Sequence, residues 1–138
     1  PSRPLPPRAA GSEEDRAGRP RREQGAQVVR SLAADEVEAY LEQNPICVLM
    51  FGAPWCMPCK ALKPKVVLMG EKFPHVPLAY CNAEEHPVLV AELEIMSVPT
   101  VIVMVRGEGT EEVVGTSEER IRKLLASCGD MIAAGGGA

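Results

Sequence analysis

Six apolar residues in succession, Ile46-Cys47-Val48-Leu49-Met50-Phe51, constrain the fold more than any other stretch of the chain. A strand with one face in water alternates polar and apolar residues, so an unbroken run marks a strand covered on both faces. Such a strand belongs in the middle of a sheet with helices above and below it. The flanking sequence supplies those helices. Asp35–Gln43 sets Val37, Tyr40 and Leu41 at i, i+3 and i+4, with acids in the first turn, where the helix dipole favours them. A second helix is expected from about Cys56 to Lys72, bent by Pro64, which removes a backbone donor and crowds the preceding turn.

The remaining elements follow in alternation. Val28–Ser31 reads as a short edge strand, Val76–Cys81 as a second buried strand and Pro87–Leu93 as a short helix. Thr100–Arg106 is a third, largely β-branched strand, joined through a turn at Gly107–Gly109 to a fourth over Glu111–Gly115. Ser117 caps a closing helix that buries Ile121, Leu124 and Leu125. Helical crossovers followed by a hairpin imply an α/β fold, a central mixed β-sheet flanked by helices on both faces.

The ends differ from this middle. Residues 1–26 hold five Pro, three Gly and no aromatic residue, too little apolar area to offset the entropy of ordering, and read as a disordered tail. Residues 27–130 form the expected domain, and 131–138 a flexible C-terminal tail. Residues 1–30 carry seven Arg against four acids, whereas residues 31–138 carry eight Lys or Arg against fifteen acids. An acidic domain lacks the clustered cations that phosphate binding needs, so nucleic acid is not an expected partner. No run of about 18 apolar residues is present, so no membrane span is expected.

The chemistry concentrates in Trp55-Cys56-Met57-Pro58-Cys59-Lys60, set between the buried strand and the second helix. A cysteine at a helix start faces unpaired backbone N–H groups and the positive end of the dipole, which favours its thiolate. Cys56 is therefore the expected exposed nucleophile. Cys59, one turn further in, is the expected resolving thiol that attacks the mixed disulfide. Pro58 sits where a missing N–H costs little and stiffens the loop, and Trp55 is expected to pack beside the site and shield it. Zinc would need a second ligand pair, and His75 and His86 are scattered, so no metal is expected. Both histidines read as surface or turn residues. Cys47 and Cys81 lie in apolar runs and read as small buried hydrophobes, whereas Cys128, near the chain's end, reads as exposed and as the candidate for intermolecular pairing.

These residues resemble the thioredoxin family. The hexapeptide from Trp55 to Lys60 is similar to that family's Trp-Cys-Gly-Pro-Cys-Lys signature, with Met57 in place of Gly. Pro64 matches its helix-bending proline, Val98-Pro99-Thr100 its cis-proline loop and Gly115 the glycine of the last strand. The resemblance implies a thioredoxin fold, a cis peptide before Pro99, and a redox-active Cys56–Cys59 disulfide with no other cofactor. It also implies a substrate groove formed by Trp55, Val98, Pro99 and Gly115, where the Val98 backbone pairs with an extended segment. The site would be shaped by Trp55, Met57, Pro58, Lys60 and Pro99.

Two departures stand out. The family's buried Asp, six residues before the first Cys, is Met50 here, and a Lys usually near it corresponds to Tyr80. Cys59 must then lose its proton by another route, and slower or more pH-dependent resolution is expected. Met57 adds bulk beside the nucleophile and leaves the redox potential open.

The leading expectation is a monomeric reductase of disulfides in partner proteins, recharged by an upstream disulfide reductase. Its expected location is a reducing intracellular compartment, the cytoplasm first, with a mitochondrial address as the alternative its arginines leave open. Two other functions compete. One is an oxidant or isomerase of the protein disulfide isomerase kind, against which Pro58 argues, since His before the second Cys makes such pairs more oxidising. The other is a partner-binding scaffold with weak redox activity.

Overall fold

The structure, a computed structural model, describes residues 29–135. Residues 1–28 and 136–138, with the expected N-terminal tail, Val28 and the last residues of the C-terminal tail, lie outside the described residues. The elements run β1 (Arg30–Ser31), α1 (Val37–Gln43), β2 (Ile46–Gly52), α2 (Met57–Gly70), β3 (Leu78–Asn82), a 3-10 turn (Ala83–Glu85), α3 (Pro87–Glu92), β4 (Thr100–Val105), β5 (Glu108–Val114) and α4 (Glu118–Ala133).

The five strands form one mixed sheet in the order β1-β3-β2-β4-β5. β1 and β2 flank β3 in parallel, whereas β4 runs antiparallel to both β2 and β5. All seven residues of β2 are buried, as the apolar run requires. Its alternation sorts them by face. Ile46, Val48 and Met50 pack with Leu62, Val66 and Met69 of α2 and with Ile121, Leu124 and Leu125 of α4. Cys47, Leu49 and Phe51 pack with Tyr40 of α1, and Leu89 and Val90 of α3 close over that side. Each such side chain, taken fully from water, contributes about 1.5–3 kcal/mol.

Four local expectations are corrected. The β4–β5 turn is shorter than Gly107–Gly109: only Arg106 (φ 52°) and Gly107 (φ 84°) lie between the strands, and β5 begins at Glu108. Left-handed backbone at both positions matches the right-handed twist of the strands and closes the hairpin in two residues. α4 continues to Ala133, past the expected tail boundary at 130, because Met131 and Ile132 still reach the core. Cys128 is fully buried, since it continues the Ile121–Leu124–Leu125 stripe one turn on. His86 is 4% exposed, its Nε2 2.9 Å from the Leu32 carbonyl oxygen, which ties the β1–α1 loop to the start of α3. His75 is exposed.

Candidate active site

β2 ends at Gly52, and the chain turns through Ala53-Pro54-Trp55 before α2 starts. Cys56 is the N-cap of α2, in extended conformation (φ −92°, ψ 104°). Its Sγ accepts the Cys59 N–H at 3.1 Å, and Pro58 stands in the first turn, where no intrahelical donor is required. A sulfur in that position satisfies one of the helix's orphan donors and does so better as an anion. Cys56 and Cys59 form a disulfide with a Cα–Cα separation of 5.3 Å.

Cys56 is 4% exposed and Cys59 2%, so the expected contrast between an open nucleophile and a covered partner is narrow. Cys56 packs with Ala53 and Cys59, and Val98 closes over the group. The Val98–Pro99 peptide is cis and brings the Val98 carbonyl oxygen to 3.9 Å from Cys56 Sγ. Two hydrogen bonds fix that loop. The Thr100 hydroxyl donates to the Ser97 carbonyl at 2.8 Å, and the Gly115 N–H donates to the Pro99 carbonyl at 2.9 Å. Gly115 has φ 105°, a conformation that side-chain-bearing residues rarely adopt. Residues 56, 98, 99 and 115, far apart in sequence, therefore meet at one end of the sheet.

The rim is apolar and open. Trp55 is 67% exposed, Met57 69% and Met96 91%; Pro58 and Lys60 are also exposed. Trp55 does not fold down as a shield. Its indole N–H donates to Glu84 Oε2 at 2.6 Å, and the Glu84 N–H in turn donates to Asn82 Oδ1 at 3.0 Å. Sequence reasoning missed Glu84, whose importance arises only because β3 ends beside β2. A hollow of about 540 Å³ lined by Ala83, Pro87, Val90, Ile95 and Met96 opens next to it.

The other thiols are poor nucleophiles. Burial pushes Cys47 and Cys81 up to about 12, with Cys128 and Cys81 adding to the effect on Cys47 and Glu85 to that on Cys81. Burial, then Glu111, raises Cys128 to about 11. Among the described residues, no group of three or more His, Cys, Asp or Glu is placed to hold a metal ion. No helix among them is long and apolar enough to cross a membrane.

Comparisons with known proteins agree with this geometry. Residues 28–127 match the family model described as Thioredoxin. The thioredoxin of Echinococcus granulosus is 32% identical over 98 residues, 71% of this chain and 92% of that protein. Thioredoxin H2 of Arabidopsis thaliana is 28% identical over 85 residues, 62% of this chain and 64% of that protein, so the match spans just under two thirds of it. The crystal structure of reduced Schistosoma mansoni thioredoxin pre-protein superposes with a TM-score of 0.66 at 26% identity, covering 72% of this chain and 96% of that one.

Proposed function

The chain belongs to the thioredoxin family of thiol–disulfide oxidoreductases, and from that premise we propose that it reduces disulfides in partner proteins through Cys56 and Cys59. The observation that carries this reading is the Cys56 sulfur at the N-cap of α2, accepting the Cys59 N–H at 3.1 Å beside the cis Val98–Pro99 peptide. An anion there is favoured by a hydrogen bond and a helix dipole at once.

The Cys56 thiolate attacks one sulfur of a substrate disulfide. A Cys56–substrate disulfide forms, the substrate's S–S bond breaks, and the departing sulfur leaves as a thiolate that takes a proton from solvent. Cys59 then gives up its proton and attacks Cys56 Sγ. The Cys56–Cys59 bond forms, and the second substrate sulfur leaves with the electron pair. The substrate is reduced by two electrons and the protein oxidised by two, and an upstream disulfide reductase restores the dithiol. The substrate segment lies extended along Val98 and Gly115, and the exposed rim of Trp55, Met57 and Met96 favours unfolded or loop-exposed disulfides with apolar neighbours. The protein works as a monomer in a reducing intracellular compartment, the cytoplasm first, where three unpaired thiols persist.

The test is the equilibrium potential of the Cys56–Cys59 pair against a glutathione series, read by thiol alkylation. A value near thioredoxin's roughly −270 mV supports the reductase, whereas a value near roughly −180 mV or above makes the chain an oxidant or isomerase.

A further inference from the structure

Tyr80 of β3 lies opposite Met50 of β2 and reaches under the first turns of α2. Gly52 measures how far. A Cβ at position 52 would stand 2.5 Å from Tyr80 Oη, 3.0 Å from its Cε1 and 3.2 Å from the Cβ of Cys59. The phenol oxygen and the Cys59 side chain thus both close in on Gly52, and even a methyl there would collide with the Tyr80 hydroxyl. Lys63, one helical turn beyond Cys59, holds its Nζ 4.0 Å from the centroid of the Tyr80 ring. Among the described residues, no protein group takes a hydrogen bond from the Tyr80 hydroxyl.

This arrangement has a direction. Cys59 is buried and packs with Ala53, Cys56 and Val98. Apolar surroundings penalise the Cys59 thiolate, the form the second step requires. Burial, and then Cys81, favours the protonated form of Tyr80, so its hydroxyl has a proton to donate. The Lys63 ammonium on the ring face draws electron density from the phenol and strengthens the O–H as a donor.

We propose that Tyr80 is a positioning residue for the resolving step, its hydroxyl donating a hydrogen bond to Cys59 Sγ once the disulfide has opened. This rests on the reductase reading above and assigns a residue to its second half. In the mixed disulfide, the Cys59 proton leaves to solvent and the Tyr80 O–H holds the resulting thiolate. Sγ then attacks Cys56 Sγ, and the substrate sulfur departs with the bonding pair and is protonated.

The decisive comparison is the full chain with and without Tyr80→Phe, which keeps the ring, its packing and the Lys63 contact. With a symmetric nitrothiobenzoate disulfide as probe, the first coloured thiolate reports attack by Cys56 and the second reports resolution by Cys59. The variant should slow the second phase about tenfold, as loss of a hydrogen bond to a charged group does, and leave the first within about twofold, well below the effect of one such bond. In a Cys56→Ser chain, thiolate absorbance should show the Cys59 titration moving up by about one pH unit on Tyr80→Phe, the equivalent of tenfold. Cys47, Cys81 and Cys128 are raised by burial to about 12, 12 and 11 and are common to both chains, so they cancel in the difference between the two titrations. An unchanged second phase, or equal slowing of both phases, overturns the role of Tyr80 and leaves the reductase standing. Absence of any second phase in the unmodified chain sinks the reductase reading. The titration needs no disulfide substrate, and an unmoved Cys59 midpoint overturns Tyr80 by itself.

Discussion

At the scale of single residues, Cys56 does two jobs that one substitution can separate. Its sulfur caps α2 by accepting the Cys59 N–H, and it supplies the nucleophile. Serine caps a helix at least as well as cysteine, so Cys56→Ser should shift stability by no more than about 1 kcal/mol relative to the reduced protein. Disulfide reduction should vanish, while any scaffolding interaction survives. Activity retained in that variant would place the chemistry elsewhere. Met50 gives a second residue-scale prediction. It is 2% exposed in the apolar layer between β2 and α2, opposite Tyr80. An aspartate there exchanges packing for a desolvated carboxyl, so Met50→Asp should lower stability by about 2–4 kcal/mol in denaturant unfolding. It should also add a base near Cys59 and speed single-turnover release at neutral pH; equal release rates in both proteins would remove that idea. The cysteine pair and Pro58 were legible in the sequence from local spacing, whereas the cis peptide before Pro99 was expected only through the family resemblance. Glu84, the reach of Tyr80 and the burial of His86 were not, because each depends on which strand end or helix start arrives alongside, and no neighbouring residue signals that.

At the scale of elements, the hairpin shows how backbone conformation sets a boundary that residue patterns misplace. The glycines at 107 and 109 suggested a three-residue turn, but two residues with positive φ suffice, and Gly109 joins β5 opposite Met104. The register then shifts between Val103 and Met104, leaving Thr110 as an extra residue on β5. Because β5 ends at Val114, directly before Gly115, the hairpin fixes the height at which the Gly115 N–H meets Pro99. No heavy atom lies within 4 Å of where a Gly107 Cβ would stand, so substitution there is costly through the backbone alone. Gly107→Ala should reduce stability by about 1–2 kcal/mol in urea unfolding. Arg106→Gly, at a position already in left-handed conformation, should recover a part of that strain on its own. Equal stability of the Gly107→Ala and parent chains would mean that the turn relaxes to another type. Elements were legible wherever one period runs long enough, as in the unbroken β2 and the Ile121–Leu124–Leu125 stripe of α4. Ends were less so, because caps and turns are settled by φ values and by packing such as that of Met131 and Ile132.

At the scale of the whole molecule, one reactive dithiol coexists with three thiols that the fold keeps inert, and the same burial makes folding depend on pH. Cys47 and Cys81 ionise near 9 when unfolded but are pushed up to about 12 in the native state, and Cys128 to about 11. Below about pH 9 both states hold these protons, and the contribution to stability is fully present. Above it the unfolded chain releases protons that the native chain retains, so the unfolded state binds fewer protons and stability falls as pH rises toward the native values. Cys47 and Cys81, both fully buried, each contribute a slope of up to about 1.4 kcal/mol per pH unit in that window. With the Cys56–Cys59 pair kept oxidised, and so unable to titrate, the urea midpoint should hold steady to about pH 9 and then decline steeply. A Cys81→Ala chain should start lower, because its core loses a sulfur, yet decline less steeply, because one titrating group is gone. A parent chain whose midpoint stays flat through that window would show that these thiols meet solvent in the native state, and the fold would then no longer explain why only Cys56 and Cys59 react.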